Sequence, residues 1–274
     1  LEELRALFSG YLGVSGCGVV NFDNEEARAL GEASVSDGAR QMISFAIENP
    51  AADITVKPGS ITQGAFFVGA VVVDTRTDEE FALKVPMPGM HNLSNALAAL
   101  AASSAAGIEM GKAVAALAEF KGLARRFDVI GTSAKDVTVI DDFGHNPEKC
   151  AATLRTLKAT EGRVIAFFQP HGYGPLRQMG DELAETFARE LGSDDITIMC
   201  DPVYFGGTVD RSEGTERIIK MIEDAGGSAQ HIELREDCGK RILEIAQPGD
   251  RIVVMGARDD TLTGFAHSIL DGLE

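Results

Sequence analysis

The chain has no tryptophan, three tyrosines and only four cysteines among 274 residues. Cys17, Cys150, Cys200 and Cys238 lie far apart with no CxxC pair, which argues against a structural zinc site and a disulfide framework and fits a reducing cytoplasm. The five histidines also lack the close spacing of a metal centre. No apolar run approaches the length of a membrane span, and LEELRALFSGYL at the start has neither the basic opening nor the apolar core of a secretion signal. Basic charge is scarce: 25 Lys and Arg against 42 Asp and Glu leave a formal charge of −17, which disfavours a nucleic-acid footprint or an anionic membrane as partner. Two nucleotide signatures are missing as well. There is no Gly-x-x-x-x-Gly-Lys-Ser/Thr phosphate loop, and no GxGxxG that follows a strand and opens a helix, so a nicotinamide dehydrogenase has little support.

What is present divides near Arg125. Before it, residues 1–11 have helical spacing, GVVN at 18–21 reads as a short buried strand, and Asp23 or Asn24 is placed to cap the acidic helix that follows. Between Met42 and Lys84 short alternating strands separated by Asn49-Pro50, Pro58-Gly59 and Asp74–Asp78 predict an antiparallel segment. Alanine-rich helices follow from Gly89. After Arg125, strands TVIDD, RVIAFFQP, DITIMC, HIEL and DRIVVMGA alternate with helices, the pattern of a Rossmann-like, mostly parallel α/β domain. Two domains are expected, 1–124 and 125–274.

Chemistry-bearing side chains gather where predicted parallel strands end, the usual ligand-binding edge of an α/β sheet. Asp141 and Asp142 close one strand, His145 and Asn146 follow in the turn, and Gln169 and His171 close the next. Paired carboxylates there suit a metal, acid–base chemistry or helix capping. His91, Asn92 and Asn95 stand at a helix start, where Asn92 or Ser94 is a candidate cap. Arg125 and Arg126 suit phosphate, or a solvated linker. Arg177 is read as a solvent-exposed helix residue, with an inward orientation as the alternative, and His231 and His267 as satisfied or surface histidines.

Taken in order, GMHNLSNALAALAA, FKGLARRF, VIDDFGHNP, FFQPH and VVMGARDD resemble the Mur ligases. The likeness is greatest to the branch that joins L-alanine to UDP-N-acetylmuramate. It implies an ATP-dependent, magnesium-requiring carboxylate–amine ligase of peptidoglycan synthesis that works through an acyl phosphate, with a UDP-sugar carboxylate and an amino acid as its substrates. On that resemblance, residues 1–124 correspond to the latter part of the central ATP-binding domain and 125–274 to the amino-acid-binding domain, with the phosphate loop expected upstream of Leu1. His91, Asn92 and Asn95 would meet the adenine, Arg125 or Arg126 the ATP phosphates, and Asp142 the ribose. His145, Asn146, Gln169 and His171 would face substrate.

The chain also departs from that branch. Gly172-Tyr173-Gly174-Pro175 replaces an Arg-Tyr-x-Arg continuation, Asn146 replaces a second histidine, and Arg258 stands where glycine is usual. The Gly-His-Asn-Pro turn is similar to that of cyanophycin synthetase, a member of the same superfamily. A binding module that kept the fold without catalysis is the alternative reading.

Overall fold

The computed structural model describes residues 2–36, 41–203, 210–211 and 214–274. The chain divides into two compact units, Leu1–Lys121 and Gly122–Glu274.

The first unit contains α1 (Glu2–Val14), β1 (Cys17–Asn21), α2 (Glu25–Ser36), β2 (Gln41–Phe45), β3 (Ile54–Val56), β4 (Thr62–Gly64), β5 (Phe67–Asp74), β6 (Glu79–Val85), α3 (Met90–Ala105) and α4 (Met110–Ala118). Asn24 caps α2 by accepting from the Ala27 amide at 2.9 Å. Asp23 is used differently: its carboxylate accepts the amides of Ile47, Glu48 and Asn49 at 2.6–3.1 Å and fixes the turn after β2. β3, β4 and β6 all pair antiparallel with β5, as the alternating pattern predicts. β2 does not belong to that meander. It lies parallel to β1 over the register Cys17 to Gln41 through Asn21 to Phe45, because the chain crosses over through α2 between the two strands. Ile54, Val56, Val68, Val72 and Leu83 on the sheet close against Leu93, Leu97 and Leu100 of α3.

The second unit contains β7 (Asp128–Thr132), β8 (Thr138–Asp142), α5 (Pro147–Lys158), β9 (Val164–Gln169), α6 (Tyr173–Glu190), β10 (Ile196–Met199), α7 (Thr215–Asp224), β11 (Ala229–His231), α8 (Arg235–Ile245), β12 (Arg251–Gly256) and α9 (Thr261–Leu273). The sheet order is β11-β10-β9-β12-β8-β7, parallel throughout except for β7. All six residues of β9 and of β12 are buried, as expected of central strands covered on both faces. Alternate residues serve opposite layers. Val164, Ala166 and Phe168 pack toward Leu154, Leu183 and Phe187 of α5 and α6, while Ile165 and Phe167 pack toward Ile242, Ala266 and Ile269 of α8 and α9.

Some elements differ from the pattern reading. The helix expected from Met179 starts at Tyr173, directly after the β9 turn, because Gly172 and Pro175 open it and Leu176 is already core. β11 lies at 229–231, two residues before the expected HIEL segment. β7 and α9 carry no strong sequence signature and are additions. Ser212 and Glu213, at the start of the helix expected over 211–225, lie outside the described residues.

Leu154 is wholly buried between α5 and the sheet. Leu154→Ala is expected to cost about 2–5 kcal/mol from lost transfer energy and a residual cavity, read as a lower urea midpoint with an unchanged slope.

Candidate functional site

Strand register sets the site in the second unit. Asp142 of β8 and Phe168 of β9 both pair with Met255 of β12, and one step further Gln169 pairs with Gly256. A Cβ on Gly256 would meet the Gln169 carbonyl oxygen at 3.0 Å, so glycine is what lets the ends of β9 and β12 approach this closely.

The two aspartates do not form a carboxylate pair. Successive strand residues face opposite sides, and each aspartate is held by the helix layer on its own side. Asp142 accepts the Thr153 hydroxyl of α5 at 2.9 Å and the Gly144 and Phe127 amides at 2.8 Å each. Asp141 accepts the Thr263 hydroxyl of α9 at 2.6 Å and faces Arg125 at 3.5 Å. Burial pushes the Asp141 carboxyl up, against the opposing pull of Thr263 and Arg125. Neither carboxylate caps α5. Asn146 does so, accepting from the Lys149 amide at 2.9 Å ahead of Pro147 in the first turn. No group of three or more His, Cys, Asp or Glu suited to a metal occurs among the described residues.

The adjacent arginines have divided roles. Arg125 is buried, with φ of 60°, and donates to the Gly256 carbonyl at 2.8 Å and the Asp259 carbonyl at 3.1 Å. It therefore ties the end of β8 to the loop after β12. Arg126 is exposed, and its guanidinium lies 5.3 Å from the Phe143 ring centre. Phe143 serves as a hub: Arg125 lies over it at 5.1 Å and His145 meets it edge-on at 5.2 Å.

His145 Nδ1 lies 2.8 Å from the Phe143 carbonyl oxygen. A carbonyl can only accept, so Nδ1 carries the proton, and in the neutral ring Nε2 keeps its lone pair. His171 packs edge-on against His145 with ring centres 5.4 Å apart. Burial first, then the charges of His145 and Arg258, lower the proton affinity of His171 below that of an ordinary imidazole. The space behind this pair, lined by Phe168, Pro175 and Leu176, is too small for water, so any ligand meets the histidines from the open edge.

Gln169 is part of the frame rather than a free contact. It donates from Nε2 to Asp259 Oδ2 at 2.7 Å, where Arg235 also donates at 2.9 Å. Burial raises the Asp259 carboxyl, but the bonds from Thr261 and Gln169 and the charge of Arg235 outweigh it and hold the group below the usual carboxylate range. Arg177 is paired with Asp210 at 2.8 Å. His231 bridges Asp201 at 2.7 Å and Glu216 at 3.8 Å.

In the first unit, α3 begins after Gly89, whose φ of 96° opens the helix, and neither Asn92 nor Ser94 caps it. Asn92 is buried and its Nδ2 donates back to the Pro88 carbonyl at 2.8 Å. His91 and Asn95, one helical turn apart, are exposed on a common face.

Sequence reasoning missed Phe143, Thr153, Thr263 and Arg235. The threonines act only through partners 11 and 122 residues away, for which no local pattern exists.

The two sheets and their helix layers are those of a known fold family: the chain belongs to the Mur ligase family. The profile for the Mur ligase middle domain matches residues 2–103, and that for the Mur ligase, glutamate ligase domain matches 125–258. UDP-N-acetylmuramate--L-alanine ligase from Agrobacterium fabrum is 37% identical over 253 residues, covering 90% of this chain and 51% of that protein. The enzyme of the same name from Pelotomaculum thermopropionicum is 30% identical, covering 94% and 55%. The crystal structure of UDP-N-acetylmuramate-alanine ligase from Thermotoga maritima superposes with a TM-score of 0.75 at 21% identity, over 97% of this chain and 54% of that one. MurF ligase from Thermotoga maritima in complex with ADP gives a TM-score of 0.64 at 18% identity, over 94% and 53%. The chain thus spans about half the length of the curated relatives it matches.

His171 generates a pH test. Its folded-state proton affinity is depressed, so the unfolded chain protonates first as pH falls through about 6.5. Its contribution to stability is complete above that pH and shrinks below it, until the folded ring also protonates. The urea midpoint of the wild type is therefore expected to fall more between pH 7.5 and 5.5 than that of His171→Gln; equal shifts would refute the assignment.

Proposed function

We propose that this chain forms the nucleotide-facing and amino-acid-facing part of a ligase that joins an amino acid to UDP-N-acetylmuramate, or to a UDP-muramyl peptide, in peptidoglycan synthesis. The observation that carries this reading is the edge of the second sheet. In a chain of formal charge −17, it presents an exposed Arg126 and a pair of histidines around Phe143, on a frame whose carboxylates are already hydrogen-bonded. Such an edge favours anionic groups. The UDP-N-acetylmuramate--L-alanine ligases at 30–37% identity support the substrate class.

The residues fit a nucleotide in part. In the second unit Arg126 offers a planar fork for phosphate oxygens, and Asp142 has little acceptor capacity left for a ribose hydroxyl. In the first unit, taken by itself, exposed His91 and Asn95 have the polar groups that could meet a base. ATP, when bound with magnesium, would activate the carboxylate as an acyl phosphate. The tasks of this chain are to hold the phosphate end through Arg126, to keep the His145 Nε2 lone pair toward the edge, and to present a neutral His171 beside the attacking amine. The carboxylates Asp141 and Asp142 are structural latches in this reading and hold no metal. The phosphate loop and the magnesium ligands are assigned to polypeptide other than these 274 residues.

The test is phosphate release by the complete ligase polypeptide, dependent on UDP-N-acetylmuramate and on an amino acid. Arg126→Ala is expected to lower kcat/KM about 10²–10³-fold with little change in unfolding midpoint, as for loss of one charge-stabilising donor. The 274-residue chain alone is expected to show no magnesium-dependent ATPase. A second reading, a binding module without catalysis, is favoured by Gly172, which caps α6, and Gly174 in its first turn, since neither supplies the cation that the resemblance leads one to expect there. Nucleotide binding without turnover on any amino acid would support it.

A further inference from the structure

Four side chains from four elements form one line along the carboxyl edge of the second sheet. The Cys200 thiol, just past β10, donates to Gln169 Oε1 at 3.7 Å, and Gln169 Nε2, at the end of β9, donates to Asp259 Oδ2 at 2.7 Å. Burial pushes the Cys200 thiol up, so it stays protonated and remains a donor. Gln169 is itself buried with both ends of its amide occupied, so it serves the edge only through this line. Arg235, the first residue of α8, closes the line by donating to the same Asp259 oxygen and to the Thr261 hydroxyl, both at 2.9 Å. Its guanidinium lies 5.6 Å from the centre of the Phe265 ring, which packs on Phe167 of β9 at 4.9 Å, so the cation is aimed as well as paired. The loop after β12 is thus held on two sides: Arg125 holds the Asp259 carbonyl at 3.1 Å, and Arg235 holds the Asp259 carboxylate. Arg258 lies one residue before Asp259, and His171 two residues after Gln169. The charge of Arg258 bears on His171, so the place of this loop matters to that ring.

Resting on the ligase reading above, we propose that Arg235 is a positioning residue: through Asp259 it holds the β12–α9 loop against Gln169 and thereby sets the surroundings of His171. It touches no substrate in this role. A guanidinium suits the task because it presents its donors from one fixed plane, which a flexible ammonium does not. A groove of about 510 Å³ between α8 and α9, lined by Arg235, Gly239, Phe265 and Ser268, opens beside this guanidinium and gives a small cation access to Asp259 when the side chain is removed.

The histidine rings of the 274-residue chain are titrated by NMR in wild type, Arg235→Ala, Asp259→Ala and the double variant. The two single variants remove opposite charges, so a direct field effect would move the His171 midpoint in opposite directions. Loss of a shared tether instead lets the Arg258 charge leave the ring in both. The midpoint is therefore expected to rise in both, and no further in the double variant than in either single one. His145 and Arg258 are the charged groups that bear on His171, and His145 stays held by the Phe143 carbonyl in every variant. In the complete ligase polypeptide Arg235→Ala is expected to lower kcat about tenfold with KM for ATP unchanged, and Arg235→Lys to lose less. Added guanidinium, entering the groove, is expected to restore part of the loss in Arg235→Ala and none in Asp259→Ala. Opposite or absent His171 shifts, additive shifts in the double variant, or a kcat that guanidinium does not restore overturn the proposal. A wild-type polypeptide without turnover defeats the ligase reading alone, and the titrations then decide the tether by themselves.

Discussion

The edge of the second unit depends on one buried cation. A guanidinium withdrawn from water must have its donors met, and Arg125 meets them with the carbonyls of Gly256 and Asp259 and with Asp141. Those acceptors come from two neighbouring strands, β8 and β12, and from the loop beyond β12. Satisfying the charge therefore determines where that loop runs, and with it the positions of Arg258 and Asp259. Phe143, lying under both Arg125 and Arg126, extends the same constraint to the outward-facing cation and to His145.

Burial sorts the polar groups at this edge into a frame and a working surface. Gln169, Asp141, Asp142 and Arg125 are buried and committed to protein partners, whereas Arg126 and Arg258 are exposed and His145 and His171 half-buried. The thiols fall on the inert side of that division. Cys150, Cys200 and Cys238 are buried, and desolvation pushes their proton affinity up, Cys238 to about 12, so none is a thiolate at neutral pH.

Much of this was legible in the residues. The alternation of apolar strands and helices after Arg125 predicted the parallel sheet, and strand-end placement located His145, Gln169 and His171 at one edge. Period-two geometry was available in the sequence too, and it separates Asp141 from Asp142, yet the adjacency of two acids invites the opposite reading. The assignment of β2 to the antiparallel segment failed because its own residues alternate like those of the meander; only the helix before it carries the parallel crossover. Which arginine of the pair turns inward was not legible, since that depends on a left-handed backbone at Arg125 and on acceptors 131 and 134 residues away. Likewise the cap of α3 passed to Gly89 because the helix begins before Asn92, leaving that side chain to donate rather than accept.

The opposed aspartates have a mechanical consequence. The tip of β8 is fastened by an Asp–Thr hydrogen bond to a helix on each side, α5 through Thr153 and α9 through Thr263. Apolar contacts let layers slide with little penalty, whereas hydrogen bonds have a set length and direction. Two such ties pulling in opposite directions resist sideways tilt of the strand much as paired stays hold a mast. Phe143, Gly144 and His145, which continue from that tip, inherit its rigidity although they lie in a turn.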